Sequence, residues 1–254
     1  MLAQLDWNGA PLWFDVSGTG QRLLWVDPAL GSSVMRPLGE ALDVLREEFE
    51  VVTYDRRGRG LSEPGPPTSV QQEIDDLVAL AAHLGGVDVV VGFSSGGALV
   101  VHAAPRLDAR VIVLLEPAID DRPDSSGLRD RVAGHIRHGD PAAAVLDFYT
   151  STGTPEEIVD AIKGSDVWPD LLRSAPTLLA DIDLSHVDDR TAAVVDTPVH
   201  VVVSAGSPSE IADMSVGIAR RLGAEVWPEP GGWHGVEAAA LAQRLRALLA
   251  VSPS

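Results

Sequence analysis

Cysteine is absent from this chain, which excludes disulfides, thiolate metal sites and a cysteine nucleophile together. Lysine is nearly absent too. Eighteen of the 19 basic residues are arginine and 37 residues are acidic, giving a formal net charge of −18. Such an excess disfavours nucleic acid and anionic membranes as partners, and it raises the cost of bringing a polyanionic substrate close. Its plain consequence is a solvated acidic surface. The arginine bias, with abundant alanine and proline, hints at a GC-rich genome. No stretch approaches the ~18 uninterrupted apolar residues of a membrane span. The segment from Met1 to Asp6 lacks a basic region followed by an apolar run, so the expectation is a cytoplasmic chain without an anchor. Internal repeats and low-complexity tracts are missing as well.

What is present suits a folded domain. The 254 residues are 45% apolar and 22% charged, with mean hydropathy +0.11. That is enough for one sizeable core in one or two domains. The first ~30 residues read as β, with Leu12 to Val16, a hairpin-type turn at Gly18-Thr19-Gly20, and the run Leu23 to Val26. Residues 34–48 have helical spacing, and Val51 to Tyr54 is a buried-type strand running into the turn-rich Asp55 to Gly60. Helical period returns over 70–84. Then comes Val87 to Val91, β-branched and continuous like a parallel strand covered on both faces. A helix from Gly96 to Pro105, a strand from Arg110 to Leu115, a strand from Val199 to Val203, a helix over 209–222, a short strand Glu225 to Trp227 and a terminal helix over 236–250 follow. Alternating strands and helices predict an α/β fold with a mostly parallel sheet. Residues 120–190 break the alternation with helical segments only (Pro141–Tyr149, Pro155–Lys163, Trp168–Ala180). The expected organisation is a core of residues 1–119 and 191–254 with a helical cap of residues 120–190.

The segment Gly92-Phe93-Ser94-Ser95-Gly96 fits G-x-S-x-G, with a buried strand before it and a helix after. A nucleophilic serine needs a sharp strand-to-helix turn so that Oγ projects above the sheet, and the flanking glycines avoid collisions there. Only Ser94 fits as nucleophile, because Phe93 stands where a one-residue shift would need glycine. The backbone N–H of Ser95 would lie at the helix N-terminus, able to donate to an oxyanion. A glycine-rich turn capped by serine is the competing structural reading. His234 sits in the loop Gly231-Gly232-Trp233-His234-Gly235, from which an imidazole can reach back over the sheet as general base. The other six histidines read as surface or core residues. His135 and His138 have i, i+3 spacing without a third ligand, so no metal and no cofactor are expected.

At these residues the chain resembles the α/β-hydrolase family. Besides the serine motif, Asp55-Arg56-Arg57-Gly58-Arg59-Gly60-Leu61-Ser62 is similar to the family's D-x-R-G-x-G-x-S turn, and Gly231 to Gly235 to its G-x-x-H-G loop. The resemblance runs from Leu12 to about Leu249. It implies a twisted sheet of about eight strands, flanked by helices and carrying a helical cap. It also implies a catalytic triad of Ser94, His234 and an acid. Most members place that acid after the seventh strand, where this chain has Ser209. Glu116, closing the preceding strand, is the candidate, because some haloalkane dehalogenases of similar fold carry their acid there. Glu210 and Asp213 remain open as reserves, and Glu116 could instead cap a strand end or pair with an arginine. The resemblance puts the second oxyanion donor in Asp27-Pro28-Ala29-Leu30, where the proline leaves the amide of Ala29.

Candidate pocket residues are Phe93, Met35, Phe148, Tyr149, Trp168 and Trp233, each with core packing as its competing reading. The run Glu116-Pro117-Ala118, the strand-seven segment without an acid, and Trp168-Pro169 resemble a bacterial subgroup of the family. The expected activity is hydrolysis of a small to medium uncharged ester, lactone or thioester through an acyl-serine, by a monomer or homodimer. A lyase or cyclase on the same fold, and a ligand-binding protein on a hydrolase scaffold, are the two alternatives.

Overall fold

The computed structural model describes residues 1–62, 68–119 and 127–250. Its strands are β1 (Leu2–Trp7), β2 (Ala10–Ser17), β3 (Gln21–Val26), β4 (Phe49–Tyr54), β5 (Val87–Phe93), β6 (Ala109–Leu115), β7 (Val199–Ser204) and β8 (Glu225–Glu229), with a two-residue ribbon of β9 (Gly231–Gly232) and β10 (Gly235–Val236). The α-helices are α1 (Gly39–Leu45), α2 (Val70–His83), α3 (Ser95–Ala103), α4 (Leu128–Arg137), α5 (Pro141–Ser151), α6 (Glu156–Lys163), α7 (Trp168–Ser174), α8 (Leu178–Leu184), α9 (Asp189–Ala193), α10 (Ser209–Leu222) and α11 (Ala238–Ala250).

The eight long strands form one sheet in the order β1-β2-β4-β3-β5-β6-β7-β8. β1 and β2 are antiparallel to their neighbours, and the six strands from β4 to β8 are parallel. Period-two alternation with both faces covered explains why the inner stretches Leu23–Val26, Val89–Val91, Val111–Leu115 and Val201–Val203 are continuously apolar. Leu24, Val90, Leu114 and Val201 face one layer, packing with Leu77 of α2, Leu99 of α3 and Ile218 of α10. Leu23, Val89, Val113 and Val202 face the other, packing with Leu42 of α1 and Leu241 and Leu245 of α11. Both faces are thus covered, and the carboxyl ends of β3, β5, β6 and β7 open on one rim.

Between β6 and β7 the helices α4 to α9 form the cap insertion; residues 120–126, where the expected cap begins, lie outside the described residues. A third apolar cluster joins it to the loop after β3. Leu30, Ala29 and Met35 pack there with Val132, Val145, Leu171 and Leu178.

Several local expectations are corrected. Gly18-Thr19-Gly20 is not a hairpin turn, because β4 enters the sheet between β2 and β3. The helical spacing of 34–48 yields only Gly39–Leu45, since Pro37 precedes Leu38 in a left-handed conformation (φ 62°) that starts the helix late. The helix expected over Trp168–Ala180 breaks into α7, a 3₁₀ turn and α8, with Pro176 in the turn removing a helical N–H. α4, amphipathic and following Gly127, went unread.

Candidate active site

The turn from β5 into α3 is fixed by steric exclusion. A Cβ on Gly92 would lie 2.7 Å from Gly97 Cα. One on Gly96 would lie 2.3 Å from the Val26 carbonyl oxygen and 2.6 Å from that of Asp27. The start of α3 is therefore pressed against the end of β3. Ser94 at this turn has φ 54° and ψ −121°, outside the favoured regions, and is only half-buried while its neighbours are buried. Glu116 (φ 44°) and His234 (φ 46°) also have positive φ, as does Leu30 (φ 60°) in the loop after β3. Four of the six such non-glycine residues among the described ones thus belong to this site. Each costs on the order of 1–3 kcal/mol and persists only where surrounding structure enforces it.

Glu116 follows β6 directly, beside Ser94; the Ser94 N–H donates to the Leu115 carbonyl at 3.0 Å, and the Glu116 N–H to the Val202 carbonyl at 2.9 Å. The carboxylate is fully buried. Its Oε2 stands 3.4 Å from His234 Nδ1. Neither atom has a hydrogen-bonding partner among the described residues, so the two face each other in a close approach with no competing contact. Oε1 accepts from the Ser204 backbone N–H at 2.9 Å and from the Ser207 hydroxyl. Ser207 Oγ in turn accepts the His234 N–H at 3.2 Å. The imidazole leans on the ring of Phe93, the residue before Ser94, with centroids 4.9 Å apart, and Trp233 stands edge-on at 5.5 Å. Glu210 and Asp213 are exposed on α10.

On the other side lies the loop Asp27–Met35. Among the described residues the Ala29 N–H has no main-chain acceptor, while Gly31 N–H donates to Pro28 at 3.0 Å. The Ser95 N–H, at the first turn of α3, has no intrahelical partner by geometry. Asp27 is fully buried and holds Trp25 Nε1 at 2.9 Å and Arg36 Nε at 2.7 Å; burial raises its carboxyl above the ordinary range. Asp55 binds the loop from below, accepting Ser33 N–H and Oγ at 2.5 Å each and Leu61 N–H at 2.8 Å. Gly60 must be glycine beside it, since a Cβ would meet Asp55 Oδ2 at 2.3 Å. The D-x-R-G-x-G-x-S segment is thus a clasp.

Its arginines reach further. Arg56 pairs with Glu73 (3.1 Å) and Asp181 (2.9 Å), and Arg59 with Glu73 (2.9 Å) and Asp181 (2.8 Å); all four side chains are buried. Asp181 also accepts the Ser95 hydroxyl at 3.0 Å. Burial alone would raise the Asp181 carboxyl, but Arg56 and Arg59 outweigh it and hold it below the ordinary range. This ties α8, at the end of the cap, to the residue after Ser94.

Of the pocket candidates, Met35, Phe148, Tyr149 and Trp168 share the apolar cluster under the cap. Phe93 belongs to the core cluster on the α1–α11 face and touches only the imidazole side of the site. Trp233 and His234 border an open concavity of about 310 Å³ next to Leu38. Sequence reasoning missed Ser204, Ser207 and Asp181, and it singled out Asp55 only as part of the turn motif. No spacing marks Ser207 or Asp181, which become relevant only when distant strands and helices meet. Among the described residues no group of three or more His, Asp or Glu is arranged to hold a metal, and no helix is long and apolar enough to cross a membrane.

This fold, with a serine at the strand-to-helix turn, defines a hydrolase-like protein of the α/β class. The chain matches the model of the alpha/beta hydrolase family over residues 12–248, and it belongs to that family. It is similar to the crystal structure of an alpha/beta hydrolase from Sphaerobacter thermophilus, at 29% identity and TM-score 0.83, covering 96% of this chain and 98% of that one. A thermophilic esterase from Thermogutta terrifontis (21%, TM-score 0.69, covering 99% and 96%) and an enol-lactonase from Burkholderia xenovorans (18%, TM-score 0.66, covering 98% and 97%) share the fold. The family relationship supports a hydrolase-like catalytic role.

Proposed function

We propose that the protein hydrolyses an uncharged ester, lactone or thioester through an acyl-serine on Ser94, with His234 as general base and Glu116 as the acid partner. The observation that carries this reading is the 3.4 Å approach of buried Glu116 to His234 Nδ1, beside a strained serine turn. With Nδ1 facing the carboxylate, Nε2 is the nitrogen left for the serine.

In the first half-reaction Ser94 Oγ attacks the substrate carbonyl carbon and its proton passes to His234 Nε2. The oxyanion receives the N–H groups of Ser95 and Ala29; each such donor is worth ~10²–10³ in turnover. Collapse breaks the bond to the alcohol or thiol, which leaves with the proton held on His234. Water then gives a proton to His234, attacks the acyl carbon and frees the acid, and the proton returns to Ser94. Glu116 fixes the tautomer and steadies the imidazolium.

The fold-sharing esterase and enol-lactonase support an acyl-transfer substrate class. The apolar lining under the cap, with Met35, Phe148, Tyr149 and Trp168, suits an uncharged acyl group. In this reading residues 120–190 select the substrate, residues 1–119 and 191–254 carry the chemistry, and Phe93 and Trp233 frame the imidazole. A panel of short p-nitrophenyl esters tests the proposal. Turnover by the wild type and its loss in Ser94→Ala are expected, and full activity in Ser94→Ala would remove the acyl-serine.

A further inference from the structure

The loop after β7 holds no carboxylate against His234, yet it touches both members of the Glu116–His234 pair through one side chain. We infer that Ser207 is the positioning residue that makes an acid on β6 serve a histidine carried on the β9–β10 ribbon. This inference rests on the catalytic reading of Ser94, His234 and Glu116 given above.

Hydrogen-bond capacity at the pair requires a positioning residue. Glu116 has two oxygens, and only Oε2 faces His234 Nδ1. A carboxylate on a rotatable stem can offer either oxygen, so something must engage the other. Oε1 is held by the Ser204 N–H at 2.9 Å and by the Ser207 hydroxyl. The backbone donor fixes its position, and the hydroxyl adds a second bond to a charged acceptor. The histidine needs a matching restraint. It sits at the tip of a ribbon only two residues long on each side, with φ 46°. Its N–H donates to Ser207 Oγ at 3.2 Å.

Ser207 therefore donates to the acid and accepts from the base's backbone with a single oxygen. Only a group that is donor and acceptor at once can do this; alanine loses both bonds and threonine keeps both. Ser207 itself is placed by the turn after β7, where its N–H donates to the Ser204 carbonyl at 3.2 Å. Ser204 Oγ, from the same turn, donates to the Gly232 carbonyl at 2.8 Å and so fastens the ribbon as well. Strand seven thus keeps a part in the site through hydroxyls.

The test compares Ser207→Ala, Ser207→Thr and Ser209→Ala in the intact protein; Ser209 is an exposed neighbour bonded to Glu210. The first readout is the low-field proton NMR signal of the His234 Nδ1–H, which needs no substrate. Released from its tether, the ring loses its fixed carboxylate, so Ser207→Ala should move that signal upfield toward the free-imidazole position or lose it to exchange with water. Ser207→Thr should restore the signal, and Ser209→Ala should match the wild type. The second readout is p-nitrophenyl ester hydrolysis, where Ser207→Ala should lower kcat about 10- to 100-fold with little change in KM. A wild-type His234 Nδ1–H signal and kcat in Ser207→Ala would overturn the inference while leaving the triad intact. A loss in all three variants would also overturn it. If the wild type is active but Ser94→Ala keeps that activity, the catalytic reading fails first and this inference with it.

Discussion

At Glu116 a carboxylate is taken fully out of water and given the His234 ring at 3.4 Å, one backbone N–H and one hydroxyl. Burying a carboxylate is costly unless it is paired and hydrogen-bonded. A residue that merely ended a strand could face solvent, as Glu210 and Asp213 do on α10. Glu116→Gln, isosteric but uncharged, is expected to lower kcat by up to about 10⁴, the scale seen when a triad acid is neutralised. Glu210→Gln and Asp213→Asn should change it little. Ester-hydrolysis kinetics on the three variants decide the matter, and the reverse ranking would return the acid to the β7 side.

At the scale of elements, the serine turn depends on how closely α3 approaches β3. Gly96→Ala would place a methyl 2.3 Å from the Val26 carbonyl oxygen, and backbone has little freedom to withdraw. We expect a loss of about 1–3 kcal/mol in urea unfolding, together with a fall in turnover, because the same shift moves the Ser95 and Ala29 amides apart. A variant with wild-type stability and activity would show that the contact is slack. The glycines of this turn were legible in the sequence for that reason. Strand periodicity was equally plain: Val87–Val91 and Leu23–Val26 alternate between the two core layers. Other features depended on partners far along the chain. β4 separates β2 from β3, which no local turn signal announces, so Gly18-Thr19-Gly20 looked like a hairpin. Pro176 splitting α7 from α8 was visible, yet its effect is decided by packing against α3 and α2. The serine and histidine motifs announce themselves by spacing. Ser207 and Asp181 do not, since each acts through bonds between elements brought together by the fold.

For the whole molecule, the two charge patterns have different consequences. Arg56, Arg57 and Arg59 are fully buried and matched by Glu73, Asp76 and Asp181, Arg57 reaching Asp76 at 2.6 and 2.8 Å. This cluster joins the turn after β4, α2, α8 and, through Ser95, the serine turn. Removing one charge strands others, so Asp181→Asn should cost about 3–5 kcal/mol at neutral pH. Because the folded-state pKa of Asp181 is depressed, its contribution is present above the ordinary carboxylate pKa and is lost as pH falls through the lower folded value. The gap in urea midpoint between wild type and Asp181→Asn should therefore narrow below about pH 4. A gap that stays constant there would contradict the assignment. In this cluster three arginines match three carboxylates, so it adds nothing to the chain's net −18. Neutral esters should then outperform analogues bearing a carboxylate in kcat/KM, and added salt should shrink the difference. A salt-independent preference would point to contacts inside the pocket instead.

The account stands on Ser94 being the hydroxyl that His234 activates. Labelling with a fluorophosphonate, followed by peptide mass spectrometry, reads this directly. One phosphonyl group should appear on the peptide containing Ser94, and His234→Ala should slow its formation by orders of magnitude. Labelling of another serine, or equal labelling rates in the two proteins, would contradict the account.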